Sequence, residues 1–202
     1  MQRFQTVQKL VEDSYNSSPI SFAHWMWNNH VKIVVRFAEE LGSKHKANLD
    51  LLMAGALLHD FGDAFVQRKS RDFDDNSKTK SIEILHNAGY SDNEITEVLE
   101  KVIAPHSCKK GILPITLEGK ILATADAMAH LSTDFYVQFT WMHLPENKTY
   151  TEFIEWLKEK ITRDYDKKIF FDEIRIELKP RFDALMKVFI NNKVKNIKLT
   201  SI

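Results

Sequence analysis

The chain has 202 residues, 44% hydrophobic and 28% charged, with 28 basic side chains against 28 acidic ones. That length supports one domain with a sizeable core, and the balanced charge gives no general pull toward nucleic acid or an anionic membrane, so neither is an expected partner. The single cysteine, Cys108, excludes an internal disulfide and a cysteine-only zinc site and fits a reducing compartment.

The residues up to Val11 hold no apolar signal core, and no run of about 18 apolar residues exists for a membrane span, so a cytoplasmic protein is expected. Glycine and proline are scarce, at six and five, and helical periods dominate with almost no strand-like alternation. The expected fold is all-α, a helical bundle over residues 1–140 with a C-terminal helical extension, 141–202, packed on it.

Phe4, Val7, Leu10 and Val11 make one stripe of a first amphipathic helix, followed by a turn at Asn16-Ser17-Ser18-Pro19. A second helix runs from about Trp27 to Leu41, with Val31, Val34, Val35, Ala38 and Leu41 inward and Gly42 as its stop. His30 lies four residues before Val34 and eight before Ala38, so it also points inward. Leu51 to Leu58 reads as a buried helix segment capped by Asn48 or Asp50, and it ends abruptly in His59-Asp60-Phe61-Gly62-Asp63. Those polar residues fit either a helix end meeting water, with Gly62 as the cap, or a ligand pair for a divalent cation, because a bare buried charge is costly. An imidazole and a carboxylate together suit Mn, Fe, Zn or Mg.

Residues 64–80 form the longest polar stretch, read as a solvated loop or a lid, with Arg68 as a candidate phosphate contact. Helices follow from Lys80 to Ala88 and from Glu94 to Ile103, the latter capped by Ser91 with Glu94. Pro105-His106 ends that helix, and Lys109, Lys110, Gly111 and Pro114 make a loop whose lysines are further candidate phosphate contacts. Leu117 to Leu131, rich in Gly119, Ala123, Ala125 and Ala127, reads as a central, closely packed helix with Asp126 buried inside it. A buried Asp needs a cation or a metal. After a Pro145-Glu146-Asn147 turn, helices are expected over about 150–161 and 172–190, with a frayed Lys-rich tail from 191. No chemistry is read in this last third. His45, His130 and His143 are assigned to surface or packing, and Cys108 is expected to be inert.

His30, His59-Asp60 and Asp126, brought together from three helices, would make a metal site in a bundle core. In this order and with these flanks the sequence resembles the HD superfamily of metal-dependent phosphohydrolases over roughly residues 20–135. His30-Val31-Lys32-Ile33-Val34 is similar to the family's first-His helix. Ala56-Leu57-Leu58-His59-Asp60 is similar to its name motif, Ile103-Ala104-Pro105-His106 to its later His segment, and Leu117-Glu118-Gly119 through Asp126 to its last motif. The resemblance implies that His30, His59, Asp60 and Asp126 hold one divalent ion, of Mn, Mg, Fe, Co, Ni or Zn. It implies that water activated by the ion attacks phosphorus, with Asp60 or Asp63 accepting its proton and His106 facing the site. The additional His of two-metal members has no counterpart near Ser77-Lys78, so a single ion is expected. A small phosphorylated molecule, a nucleotide among them, is the expected substrate, a metal-binding sensor without turnover is the alternative, and a homodimer stays open.

Overall fold

In the computed structural model, which describes residues 2–67, 73–143 and 149–190, every regular element among the described residues is helical. Helix α1 spans Gln2–Asn16. The short α2, Ala23–Met26, runs through a π turn, Trp27–Val31, into α3, Lys32–His45. Helix α4 is Leu49–Leu58, and a 3-10 turn, Phe61–Ala64, follows it. Helix α5 is Phe73–Asn87; α6, Asp92–Thr96, widens into a π stretch, Glu97–Ile103. Helices α7 (Leu117–Ser132), α8 (Phe135–His143), α9 (Tyr150–Asp166) and α10 (Asp172–Ile190) complete the order.

Helix α4 organises the rest. Its residues from Leu51 to Leu58 are all buried, so no face is left for water, and such a helix must be wrapped by others. Leu52, Met53 and Ala56 join one core with Val34 of α3, Leu122 of α7, and Phe153, Leu157 and Ile161 of α9. Leu51, Ala54, Leu57 and Leu58 join a second core with Val7 and Val11 of α1, Leu85 of α5 and Val98 of the π stretch. The C-terminal helices therefore share a core with α3 and α7: Ile174 and Leu178 of α10 are in it too. The close approach of α7 to the π stretch depends on Gly119, where a Cβ would stand 2.6 Å from the Lys101 carbonyl oxygen.

Local chemistry sets the boundaries. Ser91 and Glu94 form the expected reciprocal cap of α6. Thr116 and Thr149 accept the Gly119 and Glu152 amides and start α7 and α9. Two boundaries differ from the sequence reading. The polar run after Asp72 is not loop but the first half of α5, because Asp, Asn, Ser and Lys on an exposed helix face carry no apolar period to announce it. Phe135–His143 is an additional helix, α8, whose aromatic residues likewise show no amphipathic period. Arg68, the Pro145-Glu146-Asn147 turn and the tail 191–202 lie outside the described residues. No described helix is long and apolar enough to cross a membrane.

Candidate metal centre

Three separate segments deliver donor atoms to one point. His30 lies in the π turn between α2 and α3, a widened turn of the kind common at functional sites, and is fully buried. His59 is the C-cap of α4, after which the backbone leaves helical geometry at Asp60 (φ −120°, ψ 27°). Asp126 comes from the middle of α7 and is 2% exposed. His30 Nε2 stands 3.1 Å from His59 Nε2, 3.4 Å from Asp60 Oδ2 and 3.3 Å from Asp126 Oδ1. His59 Nε2 lies 3.6 Å from Asp60 Oδ2 and 3.9 Å from Asp126 Oδ1.

These separations fit a cation. Ligands about 2.1–2.2 Å from one divalent ion, at right or tetrahedral angles, stand about 3.0–3.6 Å apart, as four of these five pairs do, the His59–Asp126 pair being wider at 3.9 Å. Two of the donors, on His59 and Asp126, are also left short of partners. His59 Nδ1 lies 2.8 Å from the Ala56 carbonyl oxygen and donates to it, which leaves Nε2 as a lone pair facing His30 Nε2. Asp126 Oδ1 is buried with no hydrogen-bond partner among the described residues. Two trios could hold an ion, His30 with His59 and Asp60, and His30 with Asp126 and His130; imidazoles with carboxylates suit a divalent first-row metal or Mg, and these residues fit the ion. Tyr15 fixes the turn from behind, its hydroxyl donating to the Asp60 carbonyl oxygen over 2.9 Å.

A cavity of about 470 Å³ opens in front of the cluster. His59, Asp60 and Asp126 line its floor, and His106 lines one side. His106 Nδ1 is 2.5 Å from the Ile103 carbonyl oxygen, and burial together with the Lys168 charge pushes its pKa down to about 4. Its imidazole is therefore neutral near pH 7, with Nδ1 as the donor and Nε2 as an acceptor.

Another wall comes from α9 and the turn after it, and here the sequence reading is corrected. The last third of the chain does carry chemistry: Lys160, Arg163 and Lys168 line the cavity, and Asp164 is fully buried behind them. His130, assigned to surface or packing, is 4% exposed, lines the same cavity and sets Nε2 3.2 Å from Asp126 Oδ1. Its Nδ1 donates to Asp164 Oδ2 over 2.8 Å, and its ring stacks on His30 at 4.9 Å. Asp164 Oδ2 also accepts the Tyr136 hydroxyl at 2.5 Å and the Lys160 ammonium at 3.1 Å. Lys168 Nζ is bonded to Asp126 Oδ2 and lies 3.7 Å from Asp164 Oδ1. Burial alone would push both carboxyls up, but the surrounding His130 and lysines hold Asp126 and Asp164 well below the usual carboxylate range. The sequence did hold a signal. Lys160 and Asp164 continue the spacing of Phe153 and Leu157, so they fall on the inward face of α9, and Lys168 follows in the turn after it.

The other expected site residues are placed as follows. Asp63 is fully buried in the 3-10 turn and is not among the residues lining the cavity. Lys109 lines it; Lys110 is exposed, takes a left-handed φ of 53° and does not. Cys108 is buried, and burial raises its thiol pKa, which suits an inert side chain.

No curated protein and no solved structure matches the chain. The family described as HD domain matches residues 28–131, a span that contains His30, His59, Asp60 and Asp126 and more than half of the chain, and the chain therefore belongs to the HD domain family.

Proposed function

We propose that the chain is a metal-dependent phosphohydrolase that cleaves a small phosphate ester or a nucleotide by attack of a water molecule. The observation that supports it best is the convergence of four metal-ligating side chains from three segments, 3.1–3.9 Å apart in the pairs measured, three of which line an open cavity. Membership of a family that includes many hydrolases supports it as well.

His30, His59, Asp60 and Asp126 would hold the ion. A divalent ion there supplies Lewis acidity, acidifying water and offsetting charge on phosphoryl oxygens. The chain supplies orientation. The Ala56 carbonyl fixes the His59 tautomer, and Lys168 fixes Asp126 by its second oxygen. Asp60 is the one carboxylate of the four donors with appreciable access, its side chain 14% exposed, and it accepts the proton given up by the attacking water. His106, neutral and facing the cavity through Nε2, is placed to accept a second hydrogen bond from water or substrate. Asp63, closed off from the cavity, supports the turn that carries Asp60: its amide donates to the Asp60 carbonyl oxygen at 3.0 Å.

The test is a screen of phosphate monoesters, diesters and nucleotides with Mn, Mg, Co and Ni, comparing the wild type with Asp60→Ala. Metal-dependent turnover that the variant loses is expected. Turnover undiminished in the variant would place the chemistry elsewhere, and tight metal uptake without turnover on any substrate would identify a sensor instead.

A further inference from the structure

The cationic wall on α9 and the turn after it lies beyond residue 131, outside the part of the chain that matches the family. Lys160, Arg163 and Lys168 all line the cavity that opens on the metal-ligand cluster. Two of them are held by acids: Lys160 by Asp164, and Lys168 by Asp126 and Asp164. Arg163 differs. Its Nε is buried with no hydrogen-bond acceptor among the described residues. A buried donor left unmade costs about 1–3 kcal/mol, so an acceptor is called for at that place. A guanidinium fork suits phosphate oxygens better than any other side chain does.

Charge balance points the same way. Lys160, Arg163 and Lys168 offset Asp60, Asp126 and Asp164, while Lys78 at the rim is paired with Glu100 at 2.8 Å. Before Lys109 is counted, a divalent ion on the floor would leave the chamber with two positive charges in excess. In a partly enclosed space that excess favours an anion of matching charge.

We propose that Arg163, backed by Lys160 and Lys168, binds the terminal phosphoryl group of a phosphate monoester as its dianion, and so selects monoesters over diesters. This rests on the phosphohydrolase reading for the identity of the floor, but the wall can be tested without it. A terminal phosphoryl group offers two negative charges and three free oxygens, enough to engage the floor and the Arg163 fork together. A diester offers one charge and two free oxygens, and its second substituent would face the wall.

The experiment is calorimetric titration of the full chain, with and without Mn, using methylphosphonate as a non-hydrolysable dianion and dimethyl phosphate as a monoanion. At mildly alkaline pH the dianion should bind the metal-loaded chain at least about 10-fold more tightly than the monoanion. Arg163→Ala should weaken dianion binding about 10–100-fold, the loss expected for a charge-assisted contact, and Arg163→Lys should restore part of it. Arg163 holds no acid in the pairs described above, so the variant leaves them intact, and metal content measured alongside shows that the floor is unaltered. Dianion binding within about twofold of wild type in Arg163→Ala would overturn the wall. Equal affinity for the two probes would overturn the preference for monoesters. A chain that takes up no metal yet still loses methylphosphonate binding in Arg163→Ala would remove the enzyme reading and keep the anion site.

Discussion

Replacing Asp164 by Ala tests how much of the site's geometry is held from behind. The Asp164 side chain is fully buried, and its Oδ2 accepts from His130 Nδ1 at 2.8 Å, Tyr136 at 2.5 Å and Lys160 at 3.1 Å. Asp164→Ala strips the acceptor from all three donors and leaves two buried lysines short of a counter-charge. Removing one partner of a buried ion pair costs about 3–5 kcal/mol, a large share of the roughly 5–15 kcal/mol available to a domain. At about 2–4 °C per kcal/mol for a chain of this size, a 4 kcal/mol loss lowers Tm by about 8–16 °C. Urea denaturation followed by circular dichroism at constant pH measures it. The companion Lys160→Met, Asp164→Leu double variant should recover much of the loss, because burying neither charge is cheaper than burying one. A single variant that folds and loses less than about 1 kcal/mol would refute the idea that Asp164 holds the site's geometry from behind.

Divalent metal should stabilise the chain by about 2.7 kcal/mol when present at about 100 times its Kd, a rise of about 5–10 °C in Tm. Asp60→Ala should flatten the response, and a wild type indifferent to Mn, Co, Ni, Zn and Mg would contradict the site. His130→Gln should lower metal affinity about 10–100-fold, since Nε2 stands 3.2 Å from Asp126 Oδ1; unchanged uptake by equilibrium dialysis would reduce His130 to packing. Far from the site, Arg3 joins α1 to Asp50 and Glu94 and, with Ser91, pulls the Glu94 pKa down to about 2. The folded carboxyl is the stronger acid, so its stabilisation is present above about pH 4.5 and is lost as pH falls toward 2. Urea midpoints should fall over that window, and Arg3→Met should shallow the fall; an identical slope in the variant would remove Arg3 as the cause.

What could be read beforehand followed from contrast. His30, His59, Asp60 and Asp126 are polar residues set into apolar helical stripes, and a stripe interrupted in that way needs a partner. The all-helical bundle was legible for a related reason, since 3.6-residue periods place α1, α3 and α9, while α7 was marked by its run of small apolar residues. The α9 wall was less visible because Lys160, Asp164 and Lys168 at four-residue spacing look like surface ion pairs, the commonest setting for that pattern. Only the register against Phe153 and Leu157 marks Lys160 and Asp164 as inward, and the depth of that burial is set by contacts with His130 of α7 and Tyr136 of α8. The π widening at Trp27–Val31 that aims His30 has no composition signature at all.

The link between wall and floor runs through Lys168, and it predicts an opposed pair of effects. Lys168 Nζ bonds Asp126 Oδ2 while Asp126 Oδ1 faces the His30–His59 cluster. Without an ion, this lysine is the full cation in direct contact with the Asp126 carboxylate, and Lys168→Met leaves a buried anion to be folded at a cost of about 3–5 kcal/mol. With an ion present the sign of the neighbour reverses. A divalent cation and an ammonium on the two oxygens of one carboxylate repel each other and share its electron density, so the variant offers the ion a stronger donor and removes a like charge. Metal-free Lys168→Met should therefore melt lower than wild type, while its metal-induced rise in Tm should be larger. Differential scanning calorimetry of both chains with and without Mn reads both quantities at once. A variant that loses stability and gains no extra response to metal would show that Lys168 serves the fold alone and has no hold on the ion through Asp126.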